Sequence, residues 1–414
     1  MDLFLKNIGQ LVTVAAHGAP HKTGQAMAEL GIIPDAGVLC RAGRIEWVGP
    51  MSGWTGTLPD DINVLDASGA VVLPGFVDAH THAMFAGDRA GEFGLRATGA
   101  TYRQIAEQGG GILHTMQQVR AASKKELKRR TARYLNEMMR HGTTTVEIKT
   151  GYGLDMDSEI KMLEGIAELR DEEMIGVVPT FLAAHAFPPE FAADHAGYVE
   201  LILHRMLPYV GKRHLAEFCD VFCEQGYFGT GETTAILEEG KRWGMRPKVH
   251  AEELQYLGGA LVAGAVGAVS ADHLEHVTPE GIAAMREAGV VAVVLPGVSF
   301  FLNHGYAPAR ALIDGGVPVA IATDFNPGSC MSFSLPLMMT IACTHMRMSP
   351  EEALTAITLN AAAAVGHSAS CGSIEPGKQA DLVVADVPDY RHMAYHFGVN
   401  HVRHTIKNGT LLEF

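Results

Sequence analysis

The sequence predicts an α/β protein: a closed (β/α)8 barrel of the TIM type with a small β-sandwich module built from the N- and C-terminal segments. The length of 414 residues leaves room for one barrel of about 250 residues and one smaller module. Hydrophobic residues make up 47% and charged residues 19% of the chain, which is typical of a folded protein rather than a disordered one. In the middle of the chain, apolar runs alternate with longer helical stretches, which is the pattern of a parallel sheet covered by helices.

Eight apolar runs are the candidate barrel strands. They lie near residues 71–77, 143–148, 175–183, 219–224, 246–250, 267–272, 290–295 and 317–323. Helical stretches fall between or after them, at 123–141, 157–173, 230–243, 278–288 and 350–365. No GxGxxG motif follows the first run, so the barrel is favoured over a doubly wound open sheet.

Both ends of the chain have a different character. Residues 1–68 and 370–414 contain short alternating or apolar runs broken by Gly, Pro and Asp, and Asn408-Gly409 is a strong hairpin signal. Neither end has enough apolar surface to fold alone. We therefore predict one composite β module from residues 1–68 and 370–414, and a barrel from residues 69–369.

Charge and hydropathy restrict the possible partners. Lys and Arg number 32 against 46 Asp and Glu, which gives a net charge of −14 and disfavours nucleic acid. The longest apolar stretch, 290–302, is short and is interrupted by Pro296 and Gly297, so no membrane span is expected. The acidic start and the six scattered cysteines predict a cytoplasmic protein with free thiols.

Two histidines directly follow the first apolar run. The segment continues through Asp78 and Ala79 into His80-Thr81-His82. Residues two apart in an extended segment point to one side, so both imidazoles can bind one ion. An HxH pair alone is a weak signal, but barrel active sites lie at the C-terminal ends of the strands, which increases its weight.

Later strands also end in ionisable residues. They end at His185, at His250 to Glu253, at Asp272 and His273, and at Asp324. One such residue is more often a satisfied core group than a ligand. Groups of ligand type from five strand ends, in a chain with 20 histidines, favour a metal site.

Longer motifs place these residues in a known pattern. The segment PGFVDAHTH at 74–82, an HxxE beginning at His250, a further His273 and Asp324 together resemble the metal-dependent amidohydrolase superfamily. GKQADLV at 377–383 resembles its return to the β module, so the resemblance covers nearly the whole chain. FAGDR at 85–89, GGGI at 109–112, KTGYG at 149–153, SADHL at 270–274 and TDFNPGS at 323–329 resemble the superfamily members that hydrolyse 4-imidazolone-5-propanoate in histidine degradation.

The resemblance implies one metal ion, held by His80, His82, His250 and Asp324. Three imidazoles and a carboxylate suit Zn²⁺ and also iron. Members with two ions use a modified lysine at the end of strand four, but that strand ends here in FCEQG at 222–226, and Lys149 lies on strand two. A single ion is therefore expected, and Glu224 is disfavoured as an extra ligand.

The resemblance implies catalytic roles for Asp324, His273 and Glu253. Asp324 would accept the proton of the attacking water, and His273 would hydrogen-bond that water or the oxyanion; which of them is the principal base stays open. Glu253 would carry the proton to the departing ring nitrogen. The alternative for Glu253 is a helix N-cap near Leu254, and Glu252 is expected on the surface.

The substrate implied is a small anion, which needs a cation outside the metal centre. Arg89 fits because a guanidinium can bind a carboxylate bidentately; a surface salt bridge is the alternative. By resemblance, the further substrate contacts are Tyr152, His185, Glu253, Asn326, Gly328 and Ser329. His185 could instead be a core histidine, and Gly109–Gly111 either a covering loop or a plain connector.

The leading hypothesis is hydrolysis of the ring C–N amide bond of 4-imidazolone-5-propanoate. An aminohydrolase that deaminates a nucleobase could use the same HxH, HxxE, His and Asp set, and Arg89 separates the two because a neutral nucleobase has no carboxylate. A non-catalytic binding protein on the same fold is the third hypothesis, disfavoured by the complete set of catalytic groups. A homodimer is expected from the frequency of symmetric assembly.

Overall fold

The computed structural model describes residues 2–99 and 110–414. Two eight-stranded sheets organise this part of the chain. One is a parallel barrel formed by the middle of the chain, and the other is a mixed sheet formed by its two ends. The predicted combination of a barrel and a β module is confirmed. Gly109, the first residue of the predicted loop, lies outside the described residues.

The end sheet joins the N-terminal and C-terminal segments. Its strands are β1 (Leu3–Val12), β2 (Ile32–Arg41), β3 (Arg44–Pro50), β4 (Asn63–Asp66), β5 (Val71–Pro74), β14 (Leu382–Ala385), β15 (Val402–Lys407) and β16 (Thr410–Leu411). The central pairings are antiparallel, except that β4 and β5 both run parallel to β1. Its own apolar core includes Leu5, Val38, Leu382 and Ile406. The module is thus one continuous sheet.

The barrel strands pair in parallel in the order in which they occur in the chain. They are β6 (Phe76–Asp78), β7 (Thr143–Lys149), β8 (Gly176–Ala184), β9 (Phe218–Cys223), β10 (Arg246–Ala251), β11 (Ser270–His273), β12 (Val291–Val294) and β13 (Val319–Ile321). Nearly all of their residues are buried, as expected for strands with helices outside and side chains filling the barrel.

Helices cover the outside of the barrel. They are α1 (Ala90–Ala97), α2 (Ile112–Ala121), α3 (Lys124–Arg140), α4 (Met156–Glu172), α5 (His195–Leu201), α6 (Leu207–Lys212), α7 (Thr230–Arg242), α8 (Gly259–Val266), α9 (Pro279–Ala288), α10 (Pro296–Leu302), α11 (Ala309–Asp314), α12 (Leu335–His345), α13 (Pro350–Ala356), α14 (Leu359–Ala364) and α15 (His392–Tyr395). Within the described ranges, no helix combines the length and the apolar character needed to cross a membrane.

The predicted first barrel strand, 71–77, is two strands in different sheets. Residues 71–74 pair with β1 and β14 of the end sheet, whereas residues 76–78 pair with β7 of the barrel. Gly75 lies between them, where a Cβ atom would come within 2.3 Å of Thr144 Oγ1. Both strands are buried and apolar, so only the Pro74-Gly75 dipeptide between them marks the change of sheet in the sequence. The domain boundaries at 68/69 and 369/370 stay a prediction.

The barrel closes where β13 meets β6. Thr81 and Phe325 form a parallel bridge, and the Asp324 backbone N–H donates to the His80 carbonyl oxygen at 3.0 Å. The buried Asp78 carboxylate accepts the backbone N–H of Thr323 at 3.0 Å and its hydroxyl at 2.6 Å. Residues that close the barrel are therefore the immediate neighbours of the predicted metal ligands.

Replacing Asp78 with Ala should destabilise the protein. The change leaves two buried Thr323 donors without their acceptor, which costs about 1–3 kcal/mol each. Urea unfolding followed by circular dichroism should show a lower free energy of unfolding. Asp171→Ala is the control, because the Asp171 side chain is 75% exposed and should change stability by less than about 0.5 kcal/mol. Equal midpoints for the two variants would contradict the role of this contact.

Candidate active site

The C-terminal ends of three barrel strands bring the four predicted metal ligands together. His80 and His82 follow β6, His250 lies in β10, and Asp324 follows β13; all four are buried. The Nε2 atoms of His80 and His82 each lie 3.4 Å from Asp324 Oδ1. His250 Nε2 lies 3.5 Å from His82 Nε2. Four ligand atoms from distant parts of the sequence thus face one point.

Their spacing fits one metal ion. Ligands about 2.0–2.1 Å from a tetrahedral centre lie about 3.3–3.4 Å from one another, close to the separations observed. His80 Nε2 and Asp324 Oδ1 are also buried without a hydrogen-bond partner among the described residues. Such atoms are costly in a protein interior, and a cation between them would remove that cost. The donor set and its geometry therefore fit a metal.

Burial keeps the ligand imidazoles neutral. It lowers the pKa of His80, His82 and His250 well below the ordinary value, so each ring has a lone pair for a metal. His80 Nδ1 lies 2.7 Å from Asp272 Oδ2 and donates to it, which leaves Nε2 as the ligand atom. His250 Nδ1 lies 2.9 Å from Asp220 Oδ2. Carboxylates behind metal-binding histidines fix the orientation of the ring and increase its basicity.

A buried lysine holds these two carboxylates. Lys149 Nζ lies 2.7 Å from Asp220 Oδ2, 3.2 Å from Asp272 Oδ2 and 3.0 Å from Glu147 Oε2. Lys248 Nζ lies 2.9 Å from Glu147 Oε2, and these side chains are fully buried. Burial alone would lower the pKa of Lys149, but the carboxylates of Asp220, Glu147 and Asp272 raise it above the ordinary value. The ammonium group is therefore charged.

The sequence analysis did not find this role for Lys149. In the sequence, Lys149 belongs to the motif at 149–153 and counts against a second metal ion. A signal was present, because Glu147 and Lys149 are two apart in a buried strand and so point to the same side. The partners on β9 and β11 could not be identified without knowing which strands are neighbours.

Asp324 is oriented by the turn that follows it. Asn326 Nδ2 donates to Asp324 Oδ2 at 2.9 Å, and the Ser329 hydroxyl donates to the same oxygen at 3.2 Å. Asn326 Oδ1 in turn accepts the backbone N–H groups of Gly328 and Ser329. Asp324 has a φ of +50°, a strained value of the kind found at functional sites. The Asn326 amide thus braces the ligand, in addition to lining the cavity.

The two other predicted catalytic residues lie beside the ligands. His273 Nε2 is 3.7 Å from Glu253 Oε2, and His273 Nδ1 is 3.9 Å from Glu275 Oε2. Burial raises the pKa of Glu253 to about 8, with smaller contributions from Asp324 and Glu224. Burial lowers the pKa of His273 to about 3. At neutral pH the site thus contains a protonated carboxyl group beside a neutral imidazole.

The expectation that Glu252 lies on the surface is wrong. Its side chain is buried and accepts the backbone N–H groups of Gly258 and Ala260 at 3.2 and 3.4 Å, near the start of α8. The helix-capping role that was the alternative for Glu253 is therefore closer to the role of Glu252. Glu253 has no such role at Leu254, because no helix begins there. Glu224 accepts the Leu254 N–H at 2.9 Å and so fixes this loop. Glu224 and Glu252 are therefore both buried where they accept hydrogen bonds from backbone N–H groups.

A cavity of about 580 Å³ leads to the ligand cluster. It is lined by all of the predicted substrate contacts: Arg89, Tyr152, His185, Glu253, Asn326, Gly328 and Ser329. His185 stacks on His82 with ring centroids 4.8 Å apart, and its Nδ1 lies 3.0 Å from the Gly151 carbonyl oxygen. Burial lowers the pKa of His185 to about 4. His185 is therefore a neutral ring that both supports a ligand and faces the cavity.

Arg89 approaches the cavity across Gly328. Its Nε donates to Glu92 Oε2 at 2.8 Å, and within residues 2–99 and 110–414 its terminal Nη atoms have no protein acceptor in hydrogen-bond range. A Cβ atom on residue 328 would lie 1.9 Å from Arg89 Nη1, so this approach requires glycine. The guanidinium is thus anchored at one nitrogen, with the other two available to an anion.

Several cavity residues were missed by the sequence analysis. They are Arg96, Ile112, Phe222, Tyr227, Leu254, Leu302, Asn303 and His304. Most come from loops or from helix ends that follow a barrel strand, where no motif singles out one residue. Arg96 did have a signal, because it is seven positions after Arg89 and a helix places such residues on one face.

Comparisons with known proteins identify the family of this chain. Residues 71–412 match the model of the amidohydrolase family. Imidazolonepropionases from Geobacillus kaustophilus (strain HTA426) and Geobacillus thermodenitrificans (strain NG80-2) are 47% and 48% identical to this chain, covering 99% of it and 97% of each relative. The chain belongs to the imidazolonepropionase family. The family resemblance drawn from the sequence motifs is therefore confirmed.

Solved structures of other proteins share the fold of this imidazolonepropionase-family chain. Escherichia coli guanine deaminase has a TM-score of 0.77 at 16% identity, over 100% of this chain and 99% of its own. An adenosine deaminase from Xanthomonas campestris with bound zinc has a TM-score of 0.72 at 20% identity, over 99% and 92% of the two chains. These identities establish a shared fold and nothing finer.

Replacing Lys149 with Met should weaken both folding and metal binding. The change leaves three buried carboxylates without their common cation, and breaking a buried ion pair costs about 3–5 kcal/mol. We expect a lower free energy of unfolding in urea and less metal per chain after dialysis. Lys128→Met is the control, because Lys128 pairs with Glu168 and Glu172 near the surface, where such pairs contribute less than about 1 kcal/mol. Unchanged metal content in Lys149→Met would refute the proposed support of the ligands.

Proposed function

We propose that the protein hydrolyses 4-imidazolone-5-propanoate to N-formimidoyl-L-glutamate, the third step of L-histidine degradation. Water adds across the cyclic amide: the carbonyl carbon gains an oxygen and becomes a carboxylate, and the ring C–N bond breaks with a proton going to nitrogen. One observation carries the proposal. In a chain of the imidazolonepropionase family, a guanidinium with available donors and a metal-binding cluster face the same cavity.

We propose one Zn²⁺ or iron ion per subunit, held by His80, His82, His250 and Asp324. When bound, such an ion polarises the carbonyl group and lowers the pKa of coordinated water from 15.7 to about 7. The neutral imidazoles and the spacing of the four ligand atoms support this assignment. The cation of Lys149 is already bound to three carboxylates, which supports a single ion.

The proton of the attacking water would pass to a group beside the ligands. Asp324 suits this role because Asn326 and Ser329 hold Oδ2 while Oδ1 faces the cluster. His273 is the other candidate, since its imidazole is neutral, but burial lowers its pKa to about 3 and makes it a weak base. It is equally suited to hydrogen-bond the oxyanion, which develops as water attacks the carbonyl carbon.

Glu253 would supply the proton to the departing ring nitrogen. An amide nitrogen is a poor leaving group unless it is protonated as the bond breaks. With its pKa raised to about 8 by burial, Glu253 holds a proton at neutral pH and can donate it, which is the condition for a general acid. Its position on the cavity wall, 3.7 Å from His273, supports the role.

The substrate carboxylate would bind at the end of the cavity formed by Arg89 and Gly328. Arg89 offers its Nη groups there, and Glu92 fixes its Nε. Tyr152, His185 and Ser329 line the same cavity. Binding the tail at a fixed distance from the ligands would position the ring carbonyl for attack.

Deamination of a nucleobase is the second candidate function. It is favoured only by the shared fold with guanine and adenosine deaminases. Arg89 counts against it, since a neutral base leaves that guanidinium without a carboxylate. We further propose a cytoplasmic homodimer without nucleic-acid or membrane partners; the net charge of −14 supports the exclusion of nucleic acid.

Glu253→Gln should reduce kcat by about 10²–10⁴-fold, because glutamine cannot donate the proton. The wild-type activity should fall as pH rises through about 8, where Glu253 loses its proton. The variant should lose this alkaline limb and keep its metal content. The pH dependence of kcat, measured from pH 6 to 10, checks both expectations. An alkaline limb that persists in Glu253→Gln would assign it to another group.

Arg89→Met should lower kcat/KM for 4-imidazolone-5-propanoate by about 10–100-fold, since a charge-assisted hydrogen bond contributes about 1.5–3 kcal/mol. Loss of the substrate's ultraviolet absorbance gives the rate, and formimidoylglutamate is assayed as product. Arg170→Met, which removes an exposed guanidinium, should leave the rate unchanged. Ammonia release from guanine, adenine or cytosine by the wild type, with no turnover of the imidazolone, would replace the proposal with deamination.

A further inference from the structure

Helix α1, which carries Arg89 at its N-terminal boundary, buries a polar face. None of its residues is fully buried. Its partly buried positions are Glu92 and Arg96, together with Arg89 just before it, whereas Phe93 and Leu95 are 50% and 44% exposed. A surface helix normally turns its apolar residues toward the core. Here the face turned toward the barrel consists of charged side chains, which points to a function in binding rather than in packing.

Two arginines on this face converge on one residue. Arg89 and Arg96 are seven positions apart, two helical turns, so they lie on the same side of α1. The Arg89 guanidinium lies against the Cα of Gly328, and Arg96 Nη1 donates to the Gly328 carbonyl oxygen at 3.0 Å. Both side chains line the cavity that leads to the metal ligands. Gly328 thus brings two guanidinium groups to one end of the site.

An aromatic ring also contacts Arg96. Its Cζ lies 5.0 Å from the centroid of the Phe301 ring, over the ring face. Phe301 in turn stacks on Phe93, with centroids 5.2 Å apart. A cation over an aromatic face is attracted by the ring. This contact and the hydrogen bond to Gly328 therefore help to hold the Arg96 guanidinium at the cavity.

We infer that Arg96 is a second binding residue for the substrate carboxylate and, with Arg89, determines the preference for an anionic substrate. The inference rests on the proposed function and deepens it. A carboxylate has two oxygens and about four lone-pair directions, so it can accept from two guanidinium groups at once. The net charge of −14 repels an anion, and two cations on one side of the binding site would offset that repulsion.

The two roles of Arg96, binding and structure, give different substrate dependences. If Arg96 binds the carboxylate, removing it should affect the acid much more than its neutral amide, whose carbonyl oxygen accepts a weaker hydrogen bond. If Arg96 only supports α1 or the turn at Gly328, both substrates should lose activity equally. The useful pair is 4-imidazolone-5-propanoate and 4-imidazolone-5-propanamide, which share the reacting ring and differ in the tail, where a neutral carboxamide replaces the carboxylate.

The experiment measures kcat/KM for both substrates with the metal-loaded wild type, Arg96→Met, Arg89→Met and the double variant. We expect Arg96→Met to lower kcat/KM for the acid by about 10–100-fold, mostly through KM, and to lower it for the amide by less than about fivefold. Arg96→Lys should keep part of the preference, because it retains the charge and loses the planar fork. The double variant should no longer distinguish acid from amide.

Arg129→Met is the matched control, because it removes an exposed guanidinium on α3 and should leave the preference unchanged. Thermal unfolding of each variant tests whether the fold is retained. An equal loss for acid and amide in Arg96→Met, or no loss for either, would overturn the inference. A wild type that turns over neither substrate would overturn the proposed function itself, and the inference with it.

Discussion

The buried ammonium group of Lys149 is the contact on which the site depends. It lies within 3.2 Å of carboxylates from three barrel strands, Glu147 on β7, Asp220 on β9 and Asp272 on β11. Two of these carboxylates stand behind the Nδ1 atoms of His80 and His250. Lys248 and Lys149 together lower the pKa of Asp272, and Lys149 opposes the burial that raises the pKa of Asp220. The two carboxylates in turn orient the imidazoles whose Nε2 atoms face the proposed metal position.

The residues proposed to hold the metal also close the barrel. The hydrogen bond from Asp324 N–H to the His80 carbonyl oxygen joins the ends of the first and last barrel strands. Asp78 accepts two hydrogen bonds from Thr323, the residue before Asp324. Metal binding at these residues would therefore be coupled to barrel closure. A ligand that moved would disturb the closure, and an open barrel would separate His80 and His82 from Asp324. Strain in the backbone of Asp324, with φ at +50°, is retained because these contacts fix it from both sides.

The sequence predicted the parts of the site that are local in the chain. HxH after a strand, HxxE after another and the motif around Asp324 indicated the ligands and Glu253, because strand ends in a barrel converge on one rim. It did not predict which residues lie behind them. Lys149 and Asp220 are 71 positions apart, and no local pattern relates them. Similarly, the run at 71–77 continues from one sheet into the other. The sequence also could not show whether Glu252 or Glu253 is buried away from the surface, because burial of an acid depends on the backbone donors that surround it. For Glu252 these donors are Gly258 and Ala260.

X-ray absorption of the metal-loaded protein, with the metal content of the same sample, tests the central claim most directly. The claim is that three imidazoles and one carboxylate, held by the buried lysine cluster, bind one ion. We expect about one equivalent of metal, with only nitrogen and oxygen ligands near 2.0–2.1 Å and the scattering pattern of several imidazoles. Two ions per chain, a sulfur ligand near 2.3 Å, or a spectrum unchanged in Asp324→Ala would contradict the account.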